Sequence, residues 1–437
     1  MNKISTHGEN LRRIARRTAK AALVSIALFG VLILILTDGA PAVSQAGAPD
    51  AEQARSARDA INQLREKRKR GGGAIPIVLS EQQLAAIGVF ASDAFKPDRL
   101  QITIDGKTIK ASGSHHMYLG RWLNVSLVGL AGGKGFPEVK LTVGPVTFPA
   151  AISRFFLEAG RLTVNVVGAN VPSLDQLVMN SDIANGTAMA TVNLPAKTGI
   201  FDVMGGGMSR DTLAVRSAYC RLAEWQARSP SDDFHVLVHR AFPEKSAGAS
   251  TATTNRAGLV SLAMMTVSPR VGALVGLSDD DLSACSAKVG DFKLNGRSDL
   301  SKHWSISAAL AVTTGTQLSE AIGEWKELSD SVSSQSEFSR GDPTGFSFLD
   351  LAADRSGFLV GQSAVNGGSA EDFAMRMAHV SEEALLPSQL MAVEDGMPAS
   401  EFKRKYGSIR DPRYVARIKQ IDAILFRQGP LANSAGY

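Results

Sequence analysis

The sequence predicts an α+β protein with an N-terminal membrane anchor, a β-rich α+β domain and then a mainly helical C-terminal domain. Three observations carry this. Residues 21–36 are a mostly apolar run behind a basic head. Over residues 74–207 apolar residues alternate with small or polar ones at the two-residue period of strands, interrupted by Gly, Pro and Asp-Gly turn signals. From Ser209 the apolar positions take helical spacing. The expected divisions are 1–37 (head and anchor), 38–73 (linker with a charged helix), 74–207 (β-rich domain) and 208–430 (helical domain).

The apolar run covers roughly 24 Å as a helix, against a hydrocarbon core of ~30 Å, and Thr18, Ala19, Lys20 and Thr37 can extend it. Lys3, Arg12, Arg13, Arg16, Arg17 and Lys20 precede it, and no Lys or Arg follows until Arg55. The positive-inside rule then puts the N-terminus in the cytoplasm and the bulk in the periplasm, as a single-pass protein of the inner membrane of a Gram-negative bacterium. A cleavable signal peptide is the alternative, with small residues at Ala40-Pro41-Ala42 and Ala46-Gly47-Ala48. The head alone accounts for the formal charge of +5, and the rest of the chain is balanced. That balance argues against a nucleic-acid surface.

Residues 38–51, rich in Ala, Pro, Gly and Ser, read as a tether. A helical pattern with Ala57, Ile61 and Leu64 on one face follows and ends in Lys67-Arg68-Lys69-Arg70. Ser80-Glu81-Gln82-Gln83 is a capping box that opens a helix. Asp105-Gly106 signals a hairpin between alternating strands. Residues 122–130 and 139–148 alternate again, and Pro149 precedes an amphipathic helix with Ile152, Phe155, Phe156 and Leu157. Short strands are expected from Leu162, and Gly205-Gly206-Gly207 marks a boundary. His115-His116 falls in a turn region and reads as surface, since adjacent strand residues point to opposite faces. His235 and His239, four apart on a helix, lack a third ligand beside them. Cys220 and Cys285 form no zinc motif; they can pair in an oxidising compartment if the fold brings them together.

The stretch 295–361 holds the chemistry. Asp299 and His303, Glu327 and Asp330, and Asp350 and Asp354 are spaced three or four apart, so each pair shares one face of a helix. Ala, Leu, Ile and Trp surround them, and buried carboxylates must be paired, protonated or metal-bound. Three readings follow. In one, the groups form a structural network in which His303 and Lys326 neutralise some of the acids. In the second, they form an active site: His303 as acid/base or ligand, with Glu327, Asp330, Asp350 and Asp354 as ligands or bases. A divalent metal on His303, Asp350 and Asp354 fits this reading, although the spacing matches no motif such as H-E-x-x-H. In the third, the faces are solvated separately. No P-loop, Gly-x-Gly-x-x-Gly or Gly-x-Ser-x-Gly appears, so neither a nucleotide cofactor nor a serine elbow is expected.

The order Asp299, His303; Gly323, Lys326, Glu327, Asp330; Ser347, Asp350, Ala353, Asp354, Gly357 resembles a pattern of VanZ-like and YfiM-like bacterial membrane-associated proteins. Together with Arg121-Trp122-Leu123-Asn124-Val125, Asn255-Arg256-Ala257 and Glu401-Phe402…Tyr406-Gly407, the chain resembles an uncharacterised proteobacterial family of membrane-anchored envelope proteins. The phrase Gly144-Pro145-Val146-Thr147-Phe148-Pro149 is similar to one in YpmS-like envelope domains, which are compared with elongated lipid-binding folds. The resemblances imply an envelope setting and contact with lipid or other envelope proteins. They carry no activity: VanZ proteins span the membrane several times, and this chain has one candidate span. The leading expectation is a structural, scaffold or lipid-contacting protein. An envelope hydrolase or transferase is the alternative.

Overall fold

The computed structural model describes residues 30–31, 33–44, 52–57, 59–60, 73–94, 98–166, 171–194, 209–242, 251–277, 279–285, 290–314 and 345–428. It is α+β, with two antiparallel sheets and many helices. Among the described residues no helix is long and apolar enough to cross a membrane. Most of the apolar run, the Gly205-Gly206-Gly207 boundary, Ile61 and Leu64 lie outside them.

Strand β1 (Gly73–Ser80) runs directly into helix α1 (Glu81–Ala94). The expected capping box forms there: Gln83 N donates to Ser80 Oγ at 3.2 Å, and Ser80 N to Gln83 Oε1 at 3.0 Å. Strands β2 (Arg99–Asp105), β3 (Thr108–His116), β4 (Trp122–Leu130), β6 (Glu138–Val143) and β7 (Val146–Thr147) make one sheet in that order. Gly106 takes a φ of +57° in the Asp105-Gly106 turn, as the hairpin needs. The second sheet has the order β1-β9-β8-β5, from β9 (Thr187–Leu194), β8 (Val178–Ala184) and the two-residue β5 (Gly133–Lys134). Its β1–β9 pair joins segments more than a hundred residues apart, a partnership that no local pattern encodes.

Helix α2 (Ala150–Val166) extends through Leu162, where strands are expected from sequence. Its apolar periodicity continues past that residue, and Ser153 fixes the helix to the sheet by accepting from Leu141 N at 2.9 Å. Ile152, Phe155, Phe156 and Leu162 remain exposed.

Residues 37–43, within the stretch read as a tether, are laced to the sheet. Asp38 and Trp122 exchange backbone hydrogen bonds of 2.8 Å. Asn124 Nδ2 donates to Asp38 Oδ2 and to Ala40 O, while its Oδ1 accepts from Ala42 N. Val43 N donates to Ser114 Oγ, and Arg99 Nη1 to Val43 O.

The helical part contains α3 (Ser209–Arg228), α4 (Phe234–Ala241), α5 (Ala252–Thr266), α6 (Ser298–Thr314), α7 (Phe348–Val365), α8 (Gly367–Ala378), α9 (Ala399–Lys405) and α10 (Pro412–Gln428). Buried Leu, Phe, Met and Ala from all of these form one core. Phe346, Phe348, Phe402, Tyr406 and Tyr414 stack at its C-terminal end. Helix α1 joins this core through Ala86, Val89 and Phe90, and Arg410 reaches back to the buried Asp93 on α1 at 3.4 Å. Cys220 on α3 and Cys285 form a disulfide that closes a separation of 65 residues. Asn255 is buried in α5 and donates to Ala364 O and Ala370 O, both at 2.9 Å, bracing the α7–α8 corner.

Candidate functional site: a buried histidine between two aspartates

The turn Asn295-Gly296 starts the site. Both residues have positive φ (+51° and +78°), and Leu294 and Arg297 exchange backbone hydrogen bonds across them. This is the two-residue hairpin that Asn-Gly favours. It delivers Arg297 to the mouth of α6, whose first turn carries Asp299. One turn later, on the same face, comes His303.

Helix α7 supplies the facing side. Ser347 caps it, its Oγ accepting from Asp350 N at 2.9 Å. Asp350 and Asp354 then share the face toward α6. The two helices approach closely because α7 has glycine where they touch. A Cβ at Gly357 would lie 2.0 Å from Trp304 O, and one at Gly361 2.8 Å from Ala308 O. Ser356 Oγ accepts from the Trp304 indole N–H at 3.0 Å and donates to Leu385 O.

Between the helices lies the His303 ring, 1% exposed. Its Nδ1 is 3.1 Å from Asp354 Oδ2, and its Nε2 is 3.4 Å from Asp350 Oδ2. Ser307, one turn further along α6, donates to Asp354 Oδ1 at 2.7 Å. Asp350 Oδ1 is 3.8 Å from Arg297 Nη2, and Arg297 also pairs with Asp299 and Asp395. The result is a string of ionisable and polar groups from the surface inward: Asp395 and Asp299, Arg297, Asp350, His303, Asp354, Ser307. The hydrogen bond that Arg297 donates to Asp299 holds its guanidinium above its ordinary value, against the effect of burial. Burial pushes the Asp299 carboxyl up, but the Arg297 hydrogen bond and charge outweigh it and hold the group below the usual carboxylate range.

The sequence pairs therefore divide. His303, Asp350 and Asp354 come together, and Asp299 joins through Arg297. Glu327, Asp330 and Lys326 lie outside the described residues. Sequence reasoning did not single out Arg297, Ser307 as a hydrogen-bond donor, or Asp395. The Asn-Gly turn before Arg297 is the one signal that could have found the first.

A nucleophilic serine needs a base on its hydroxyl. Ser307 instead donates to the carboxylate, and the ring's other nitrogen faces a second carboxylate. Each ring nitrogen of His303 has a carboxylate oxygen beside it. Among the described residues no group of three or more His, Cys, Asp or Glu is arranged to hold a metal ion. The ring, the two aspartates and Ser307 form one connected polar cluster.

Four other histidines make local contacts. His239 Nε2 is 2.6 Å from Val380 O, and its ring meets His235 edge-on at 5.7 Å. His115 pairs with Asp98 at 2.8 Å, and His116 packs on Trp122.

No protein-family model, curated protein or solved structure matches the chain.

Proposed function

We propose that this protein is a membrane-tethered component of the bacterial cell envelope, held in the inner membrane by residues 21–36 with its bulk in the periplasm. It acts as a scaffold that meets lipid through its sheet-bearing part, and the His303 cluster braces the helical part. One observation carries the lipid-contacting role: the uneven placement of exposed apolar side chains. Of the sixteen large hydrophobic residues exposed among the described ones, twelve lie between Val31 and Met179. The helical part buries almost all of its own. These side chains belong to the sheet-bearing part, with Tyr118 and Leu119 beyond one end of the β3–β4 pair and Leu130 at the other, and they support contact of that part with an apolar phase. The Cys220–Cys285 disulfide supports an oxidising compartment. The brace is supported by a cluster shut off from solvent, with its groups held by one another.

Fractionation of cells expressing the full chain tests this reading. The protein should resist alkaline carbonate extraction. Protease added to spheroplasts should digest it beyond residue 36 while leaving cytoplasmic markers intact. Release by carbonate, or protection from protease until the cells are lysed, refutes it.

A further inference from the structure

We infer that the tip of the β3–β4 hairpin, Tyr118-Leu119-Gly120, is a bilayer contact that seats in the membrane interface beside the point where residues 30–36 leave it. The inference deepens the proposed function and rests on the reading that the N-terminal apolar run enters a membrane.

The first observation is the tip itself. Tyr118 is 94% exposed and Leu119 98%. Leu119 also holds a φ of +62°, a left-handed conformation that leucine adopts only at a cost. The loop is nonetheless ordered by its backbone, with Met117 N donating to Arg121 O at 2.8 Å and Arg121 N to Tyr118 O. Glycine or asparagine would suit that φ better, and any polar residue would suit water better. A leucine there is explained by something apolar that covers it.

The second observation, independent of the first, says what that is. Arg121, the residue after the tip, holds the end of the apolar helical segment. Its guanidinium donates to Leu34 O, to Thr37 O and to Thr37 Oγ1, satisfying carbonyls that the helix end leaves open. The backbone bridge between Asp38 and Trp122 locks the same junction. Gly144, in the β6–β7 turn, closes on Leu36, since a Cβ there would lie 2.6 Å from Leu36 O. Val31, Leu34 and Ile35 on the segment are about half exposed. The hairpin tip and the emerging apolar helix thus share one end of the sheet. Tyr118, Trp122 and Arg121 are the residue types that sit at the headgroup level of bilayers, with Leu119 reaching further in. Arg99 over the Trp122 ring adds a second cation at this end.

The test uses the full chain in phosphatidylethanolamine–phosphatidylglycerol vesicles. Both native cysteines are in the disulfide, so Leu119→Cys introduces the one free thiol for an environment-sensitive fluorophore. Lys107→Cys is the control, at the opposite end of β3, about 30 Å away for nine strand residues. The label at 119 should shift to the blue in vesicles. Brominated acyl chains should quench it several-fold more than the label at 107. Unlabelled Leu119→Cys should melt like the parent, because the side chain touches nothing in the fold. If the protein floats with the vesicles and the two labels are quenched alike, the tip inference is overturned while the tether stands. If the protein does not float, both readings fail.

Discussion

Replacing His303 with alanine removes the ring that lies between two buried carboxylates. A protonated ring at 3.1 and 3.4 Å would attract each carboxylate by about 5 kcal/mol at an effective dielectric near 20. Repulsion between the carboxylates and the cost of drying all three groups offset much of that. Breaking such a pair from one side typically costs about 3–5 kcal/mol. For a helical part of this size the melting temperature should fall by ~6–20 °C. The assay is a thermal melt of the full chain, followed by circular dichroism near neutral pH, with parent, His303→Ala, Asp354→Asn and the double variant His303→Leu/Asp354→Leu. Both single variants should lose stability. The double variant should recover part of the loss, because an apolar pair of similar volume replaces the His303–Asp354 pair while Asp350 keeps Arg297 at 3.8 Å. Divalent ions and EDTA should leave all four melts unchanged. An unaltered melt in His303→Ala refutes the brace. A parent melt raised by a divalent ion, with the rise lost in both single variants, refutes it in favour of a ligand site.

Gly357→Ala should destabilise the α6–α7 contact by about 3 kcal/mol, since the clash is with Trp304 backbone, which cannot swing aside. Gly361→Ala should cost about 1–3 kcal/mol, and denaturant midpoints for the two variants check the order. The Glu394 carboxyl would be raised by burial, but hydrogen bonds from Lys405 and Arg417 hold it down at about 2, from an ordinary 4.5. Because the folded value lies below the unfolded one, this stabilisation is present above pH 4.5 and is lost as the pH falls through about 2. Glu394→Gln should therefore be less stable than the parent near neutral pH, with the gap closing over that window. A gap constant across an acid titration of the denaturant midpoint refutes the assignment.

The legible parts of the fold were those written locally. The Ser80 capping box, the Asp105-Gly106 hairpin and the i, i+4 pairs His303 with Asp299 and Asp354 with Asp350 each follow from spacing within a few residues. Spacing places two acids on one helix face, but it does not say which helix lies opposite. The joining of α6 to α7 depends on Gly357 and Gly361, whose small size reads locally as a helix weakness. The cation that closes the outer end is Arg297, held by a turn rather than by a helix period. The pairing of β1 with β9 is set by neither segment alone. Helix α2 shows the complementary limit: its apolar face is plain in the sequence, yet periodicity cannot say whether that face is covered, and Phe155 proves exposed.

The lacing of residues 37–43 to the sheet bears on distance. Seven residues of free chain would let whatever they carry wander by roughly 15 Å. Held by Trp122, Asn124, Ser114 and Arg99, they allow no such excursion, so the sheet keeps a set height and tilt relative to the segment that precedes it. Contact between α1 and the helical core, with Arg410 on Asp93, carries that orientation onward. For the proposed contact at the sheet's end, this means a high effective concentration, since the fold rather than diffusion would bring it to the membrane.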